Sequence, residues 1–316
     1  MTNPTLNSSV DAAWLVKPQF LEFRLGPLKL GKISVNASVL TTQFIELPRD
    51  VSQTAVGPTE LQGCTAAVIP GHPDLGTAST VATQNGLIRY VSFREVRFLV
   101  ELRGTFTDYL AKFSAKRRGN LIRTVKKFIE FSGGKLDCRE FHTGPEMLDF
   151  QRIAVEVSGK TYKQKIGWTF QSSREFGEEL IEASKTGAVR GYVLYHKGLP
   201  AAYAFCRVQK SVVYYTHISY DPQFSEYSPG TVLLYVLIER LYAEGRFTHL
   251  DFLGGAYWQY KQVFSTVQMP SATLFYFRPT LRNWFLLVSH FSIRRLESMG
   301  VTMKRLLRRG REDEDS

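Results

Sequence analysis

The stretch Tyr220-Asp221-Pro222-Gln223-Phe224-Ser225-Glu226-Tyr227-Ser228-Pro229-Gly230 joins a β-like run to an apolar helical run. Ser228 suits a helix N-cap, and Pro229 suits the first helical position, where its missing N–H is not needed. Gly230 leaves the backbone uncovered by a side chain. A helix start with bare amides, at the positive end of its dipole, is a ready anion site suited to a pyrophosphate. The same residues also describe an ordinary capped helix with no ligand, and from the motif alone that plain reading is the stronger, because capping signals are common at helix starts. A second stretch, Ser158-Gly159-Lys160-Thr161, resembles the end of a phosphate-binding loop. The required first glycine falls at Ala154, and the preceding residues read as helix and not strand, so that reading is rejected.

Charge supplies a second pointer to anions. The 316 residues carry a net charge of +11, unevenly spread. Seven basic residues (Lys112, Lys116, Arg117, Arg118, Arg123, Lys126 and Lys127) lie between Lys112 and Lys127 with no acid, and eight more fall within 282–311. Such blocks suit nucleotide phosphates, an acidic substrate, tRNA or a membrane surface, or form a solvated helix face. The three cysteines are far apart and odd in number, and the six histidines are scattered. No disulfide framework or metal site is expected, and Cys64, Cys138 and Cys206 read as buried small hydrophobes.

The elements that must position these residues follow from periodicity. Short β-like runs occur at 20–25 and 33–40, residues 49–86 read as long loops with a strand or two, and 87–102 is strand-like. An amphipathic helix is expected from the capping pair Thr105/Asp108 to Gly133-Gly134, with the basic cluster on its outer face. Helices follow over 145–157 and 173–185. Runs 188–196, 200–209 and 212–220, separated by Lys197-Gly198 and Lys210-Ser211, form an antiparallel meander. Helix 231–244, strand 248–253, short helix 256–264 and strand 272–277 complete the order βββαβαβ, an α+β pattern. A basic amphipathic helix or pair of helices covers 281–309. Three parts are expected: an N-terminal β-rich lobe over 1–104, a domain over 105–280 and the tail over 281–316.

This order resembles the GNAT acyltransferase core. More closely it is similar to the cellulose-biosynthesis-associated branch of that superfamily, related to the FemABX peptidoglycan aminoacyltransferases. The matching residues are Gly198-Leu199-Pro200-Ala201-Ala202, Tyr220-Asp221, Ser228-Pro229-Gly230, Asp251-Phe252-Leu253-Gly254-Gly255 and Tyr260-Lys261. Upstream, Gly104-Thr105-Phe106, Lys116-Arg117-Arg118 and Ser158-Gly159-Lys160-Thr161-Tyr162 also fit. One departure is the absence of the [QR]xxGx[GA] pyrophosphate loop, replaced by the shorter Ser-Pro-Gly.

The resemblance implies a V-shaped split in the sheet beside 212–220, with an acyl-CoA donor, acetyl-CoA foremost, along that strand. His217, Ile218, Ser228, Gly230 and Lys261 would then contact the donor, although His217 by itself reads as a packed histidine. Asp251 is the candidate base or amine-orienting group, its alternative being a hydrogen bond to the Gly254-Gly255 turn. Tyr257 or Tyr220 would protonate the departing thiolate. Lys160, Tyr162 and Trp168 would line the acceptor side. The implied activity is N-acyl transfer to an amino sugar or another small amine. The alternatives are an aminoacyl-tRNA-dependent Fem-like enzyme and a non-catalytic scaffold seated on an anionic membrane through the tail. No secretory signal and no run long enough to span a bilayer is read, so a cytoplasmic location is expected, with a peripheral seat at the inner membrane face as its variant.

Overall fold

The computed structural model describes residues 14–25, 28–41, 47, 49, 51–54, 56–76, 79–161, 169–254 and 259–296. The chain opens with strands β1 (Trp14–Leu25), β2 (Leu28–Leu40), β3 (Ala66–Pro73), β4 (Val81–Gln84) and β5 (Leu87–Glu101). Helices α1 (Phe106–Ala111) and α2 (Ala115–Phe131), strand β6 (Asp137–Phe141), and helices α3 (Gly144–Gly159) and α4 (Arg174–Lys185) follow. Next come β7 (Val189–His196), β8 (Leu199–Gln209), β9 (Val212–Tyr220), α5 (Pro229–Glu244), β10 (His249–Gly254), α6 (Gln259–Phe264) and β11 (Val267–Phe277). Residues 281–296 form a last helix, α7.

The chain divides into two compact units, Arg97–Met269 and Asp11–Val96 with Pro270–Ser316. The division therefore falls within β5 and near the start of β11, not after residues 104 and 280. Pairing explains the difference. Ser271–Phe277 of β11 run antiparallel to β3, and Leu287 of α7 is buried with Leu21, Val35, Phe275 and Phe277. The last strand and helix are thus held by the N-terminal strands. In that second unit β1 and β2 form a long antiparallel hairpin, and β2 lies parallel to β3.

In the unit Arg97–Met269, the end of β5 pairs antiparallel with β10, β10 lies parallel to β9, and β9, β8, β7 and β6 continue antiparallel. The expected βββαβαβ order is present, with β6 as an additional short edge strand. Strand alternation divides the side chains between two faces. Val189, Val193, Tyr203 and Phe205 join Met147, Phe150, Phe176 and Leu180 of α3 and α4 in one core. A Cβ at Gly191 would stand 2.3 Å from the Phe150 ring, so this glycine lets α3 approach the sheet closely. The opposite face presents the small, fully buried Ala202, Ala204 and Cys206, against which α5 packs. α5 is buried nearly all round because α1 and α2 cover its outer side.

The single helix expected after Thr105 is two. Thr105 and Asp108 make the anticipated capping box, but α1 stops at Ala111 and Ser114 caps a new start by accepting the Arg117 N–H. The apolar spacing runs across this break, which is why periodicity alone does not reveal it.

Candidate functional site

The sheet opens at β9. Strand β10 pairs with it only through His249, Leu250 and Asp251 against Val212, Val213 and Tyr214. Strand β8 follows β9 as far as Tyr220. Among the described residues, no strand pairs with the β10-facing edge of β9 beyond Tyr214. A bulge places Tyr215 opposite Cys206 and His217 opposite Phe205, while the Thr216 hydroxyl donates to the Phe205 carbonyl at 3.0 Å. The extra residue sends Tyr215 and His217 to opposite faces. Tyr215 packs with Phe252 and Tyr260, and His217 turns toward Phe170 and Tyr203 in the α3/α4 core.

Asp251 explains why β10 departs. Its carboxylate is buried, with Oδ2 receiving the Arg97 Nε–H at 2.9 Å and lying 2.8 Å from Arg97 Nη2. Its Oδ1 receives the Leu253 N–H at 2.7 Å. Leu253 has φ 63°, a left-handed conformation that a leucine adopts only when held there. The β10–β5 register shifts over the same residues. Asp251 therefore pins the bend that opens the sheet. Both its oxygens are engaged, so the geometry gives it the turn-holding role and not that of a free base. Lys261 is likewise buried, and its ammonium donates to the Gly254 carbonyl at 2.7 Å. It fixes the end of β10 where donor contact was expected.

The start of α5 lies at the same end of β9. Asp221 caps the preceding 3-10 turn, Pro222–Tyr227, by accepting the Gln223 N–H. Ser228 then adopts φ 49°, ψ 52° and makes no side-chain cap. The expected Ser228 hydroxyl cap is thus replaced by a left-handed junction, because the turn before it already determines the chain's entry. Its carbonyl accepts the Thr231 and Val232 N–H groups, whereas no described residue takes that of Gly230. A Cβ on Gly230 would stand 3.8 Å from the Tyr220 ring, which places this exposed tyrosine beside the helix start.

A buried relay reaches the opening from the α3/α4 face. Ser158 Oγ donates to the Val155 carbonyl at 3.2 Å and accepts the Phe170 N–H at 3.0 Å. The Tyr203 hydroxyl bonds Ser158, and burial pushes its pKa well above the ordinary tyrosine range. It therefore stays a phenol. The Tyr203 hydroxyl and His217 Nδ1 lie within hydrogen-bond distance at 2.8 Å, which orients the imidazole ring.

Lys160, at the end of α3, lies 2.9 Å from Asp221 Oδ2 and 2.9 Å from Glu156 Oε1. The bond to Glu156, then that to Asp221, raises its pKa. The structure therefore puts Tyr220 beside Gly230, next in chain to the Ser228 junction, and Lys160 beside Asp221, while Ile218 lies between His217 and Tyr220 on β9 and the His217 ring turns to the α3/α4 face. Tyr162, Trp168 and Tyr257 lie outside the described residues. Arg97, Tyr203 and Ser158 are functional neighbours that the sequence reading missed: their partners are 154, 14 and 45 residues away in the chain. Among the described residues no cluster of side chains could hold a metal ion.

Residues 115–262 match the family described as the acetyltransferase (GNAT) domain. A solved structure named as the C-terminal domain of a lysylphosphatidylglycerol synthetase, from Agrobacterium fabrum, is 11% identical. It matches with TM-score 0.52 over 83% of this chain and 84% of that one. FemX is 10% identical and matches with TM-score 0.50 over 87% of this chain and 90% of its own. No curated protein matches the sequence. The fold is accordingly α+β and GNAT-like, as expected from the order of elements.

Proposed function

We propose that this GNAT-type domain transfers an acyl group, acetyl foremost, from a coenzyme A thioester to the amine of an amino sugar or a similar small acceptor. The observation that carries the reading is the coincidence of two features at one end of β9: the parting of β9 from β10, and an α5 start whose Gly230 N–H is taken by no described residue. An extended pantetheine fits beside a strand edge, and a pyrophosphate fits a helix start. Ser228-Pro229-Gly230 supplies that start without the longer glycine loop of typical GNAT enzymes.

The His217 imidazole takes a proton from the acceptor ammonium, and the freed amine attacks the thioester carbonyl. The tetrahedral adduct then collapses with cleavage of the C–S bond; the thiolate takes a proton from Tyr220, and the excess proton on the adduct nitrogen passes to the Tyr220 phenolate, leaving a neutral amide. Tyr203 orients the imidazole, and Asp251 with Arg97 holds the sheet open. A thermal-shift series tests the donor. CoA and acetyl-CoA should stabilise the protein by RT ln(1 + [L]/Kd), about 2.7 kcal/mol at a hundredfold excess over Kd. Gly230→Asp, which puts a negative charge at the helix start, should abolish the shift. Indifference of the wild type to every CoA compound would overturn the reading and favour an aminoacyl-tRNA donor.

The membrane surface is the proposed partner of α7. Leu281, Trp284, Phe285 and Val288 are exposed at spacings that put them on one helical face, while Asn283, Leu287 and His290 are buried on the other. Arg278, Arg282, Arg294 and Arg295 accompany the stripe, with no acid between 278 and 296. An apolar stripe flanked only by cations matches an anionic bilayer. Flotation with phosphatidylglycerol vesicles at low salt should carry the protein up, and Phe285→Glu should release it. Absence of binding at low salt would remove the proposal. Among the described residues no helix is long and apolar enough to cross a membrane.

A further inference from the structure

An open groove of about 620 Å³ lies between α2 and α6, lined by Ser114, Lys116, Arg117, Asn120, Leu121 and Thr124 along α2 and by Gln262 and Val263 of α6. Nothing in the acyl-transfer scheme uses it. Its charge is one-sided. No carboxylate lines it, and the sequence from Lys112 to Lys127 holds seven cations and no acid.

Arg117 is the group that asks for a ligand. Its guanidinium is stacked 4.4 Å over the Phe113 ring, and Nη2 donates to the Gln262 carbonyl at 2.7 Å. Its Nε is buried and finds no acceptor among the described residues. No described carboxylate forms an ion pair with it. The guanidinium is half-buried, and partial burial lowers its pKa. Arg123 adds a second cation at the rim, reaching Asn120 Oδ1 at 3.0 Å. The groove also opens at the first turn of the 17-residue α2, where Ser114 caps the helix and the dipole favours negative charge.

We propose that the α2–α6 groove binds a phosphate group, with Arg117 and Lys116 as its principal contacts. Arginine's fork suits two phosphate oxygens at once, Lys116 adds a point charge, and the Ser114 hydroxyl and the Asn120 amide can donate to the remaining oxygens. The site is independent of the acyl-transfer reading: it rests on residues of α2 and α6, not on the opening beside β9. The phosphate belongs either to free inorganic phosphate or to the phosphomonoester of a nucleotide.

Calorimetric titration of the full chain with inorganic phosphate and with adenosine 3′,5′-bisphosphate, at constant ionic strength made up with chloride, tests this. Binding of at least one is expected. A nucleotide preference of tenfold or more would assign the phosphate to a nucleotide, and equal affinity would assign it to the free anion. Arg117→Gln should weaken binding by roughly tenfold to a hundredfold, the cost of losing one charge-assisted contact set. Lys116→Gln with Asn120→Ala changes only exposed side chains and should weaken binding without affecting folding. The proposal fails if neither probe binds above the chloride control, or if the Lys116/Asn120 variant retains full affinity. It also fails if single-stranded RNA binds with a steep salt dependence and displaces phosphate, which would make the groove part of a nucleic-acid track. Adenosine 3′,5′-bisphosphate is also the nucleotide part of coenzyme A, so its titration is repeated on Gly230→Asp: binding that persists there and is lost in the Lys116/Asn120 variant belongs to the α2–α6 groove, and either reading can then fail alone.

Discussion

Asp251→Asn separates the two roles that an aspartate at this strand end could have. The substitution keeps the shape of the side chain. Its amide oxygen can still accept the Leu253 N–H, now made at 2.7 Å. The amide nitrogen must then face Arg97 Nε and Nη2, which stand 2.9 and 2.8 Å from Oδ2. Donors oppose donors, and a guanidinium with only 10% of its side-chain surface exposed loses its counter-charge. Breaking one partner of a buried pair costs about 3–5 kcal/mol. At about 2–4 °C per kcal/mol for a unit of this size, the melting temperature should fall by about 6–20 °C. Arg97→Met should cost a similar amount by stranding the carboxylate. The double variant Asp251→Asn/Arg97→Met should cost little more than either single change, since the second removal relieves the charge the first left unpaired. Circular-dichroism melts of the four proteins give the cycle, and acyl-transfer rates measured below the lowest melting temperature give the catalytic side. If Asp251 only holds the bend, both single variants lose activity to a similar, modest extent. The reasoning is refuted if Asp251→Asn melts with the wild type yet loses a hundredfold or more in kcat while Arg97→Met stays active. That pattern belongs to a general base.

His217→Gln should lower kcat by about 10²–10⁴-fold and remove the rise of rate with pH that a neutral imidazole requires; a variant with an unchanged pH profile would exclude the histidine as base. Tyr203→Phe keeps the ring and loses the relay, and should lower kcat with little change in KM for the donor. In the second unit His290 is buried between the Tyr90 hydroxyl, the Glu22 carbonyl and the Phe23 ring, with Arg294 nearby. Desolvation, the largest influence, lowers its pKa below 6.5. The unfolded chain therefore binds the extra proton, so the stability held above pH 6.5 is lost as pH falls below it. Melting curves between pH 5 and 7.5 should show that loss, and His290→Gln should flatten it.

The order of elements from 188 to 277 was legible because each strand run is bounded by a Lys-Gly, Lys-Ser or Gly punctuation and each helix by a cap. Local chemistry was enough for that. It was not enough for the junction before α5, where Asp221 caps the 3-10 turn and leaves Ser228 left-handed. Both residues are good caps in isolation, and only the path of the chain decides which one acts. The division into units was hidden for a similar reason: β11 is readable as a strand, but its partner β3 lies about 200 residues earlier. The site shows the same limit more sharply. Asp251 and Lys261 stand where the sequence pattern places reactive groups, yet each is bound to the backbone that shapes the opening. His217 looks like a packed histidine from its strand position, and it is packed, against the Phe170 ring and the Tyr203 phenol that orients its imidazole. A residue type announces what a side chain can donate or accept. Whether that capacity is spent on the fold or kept for a substrate depends on partners brought together by the sheet, and the Asp251 and His217 variants are the measurement that separates the two cases.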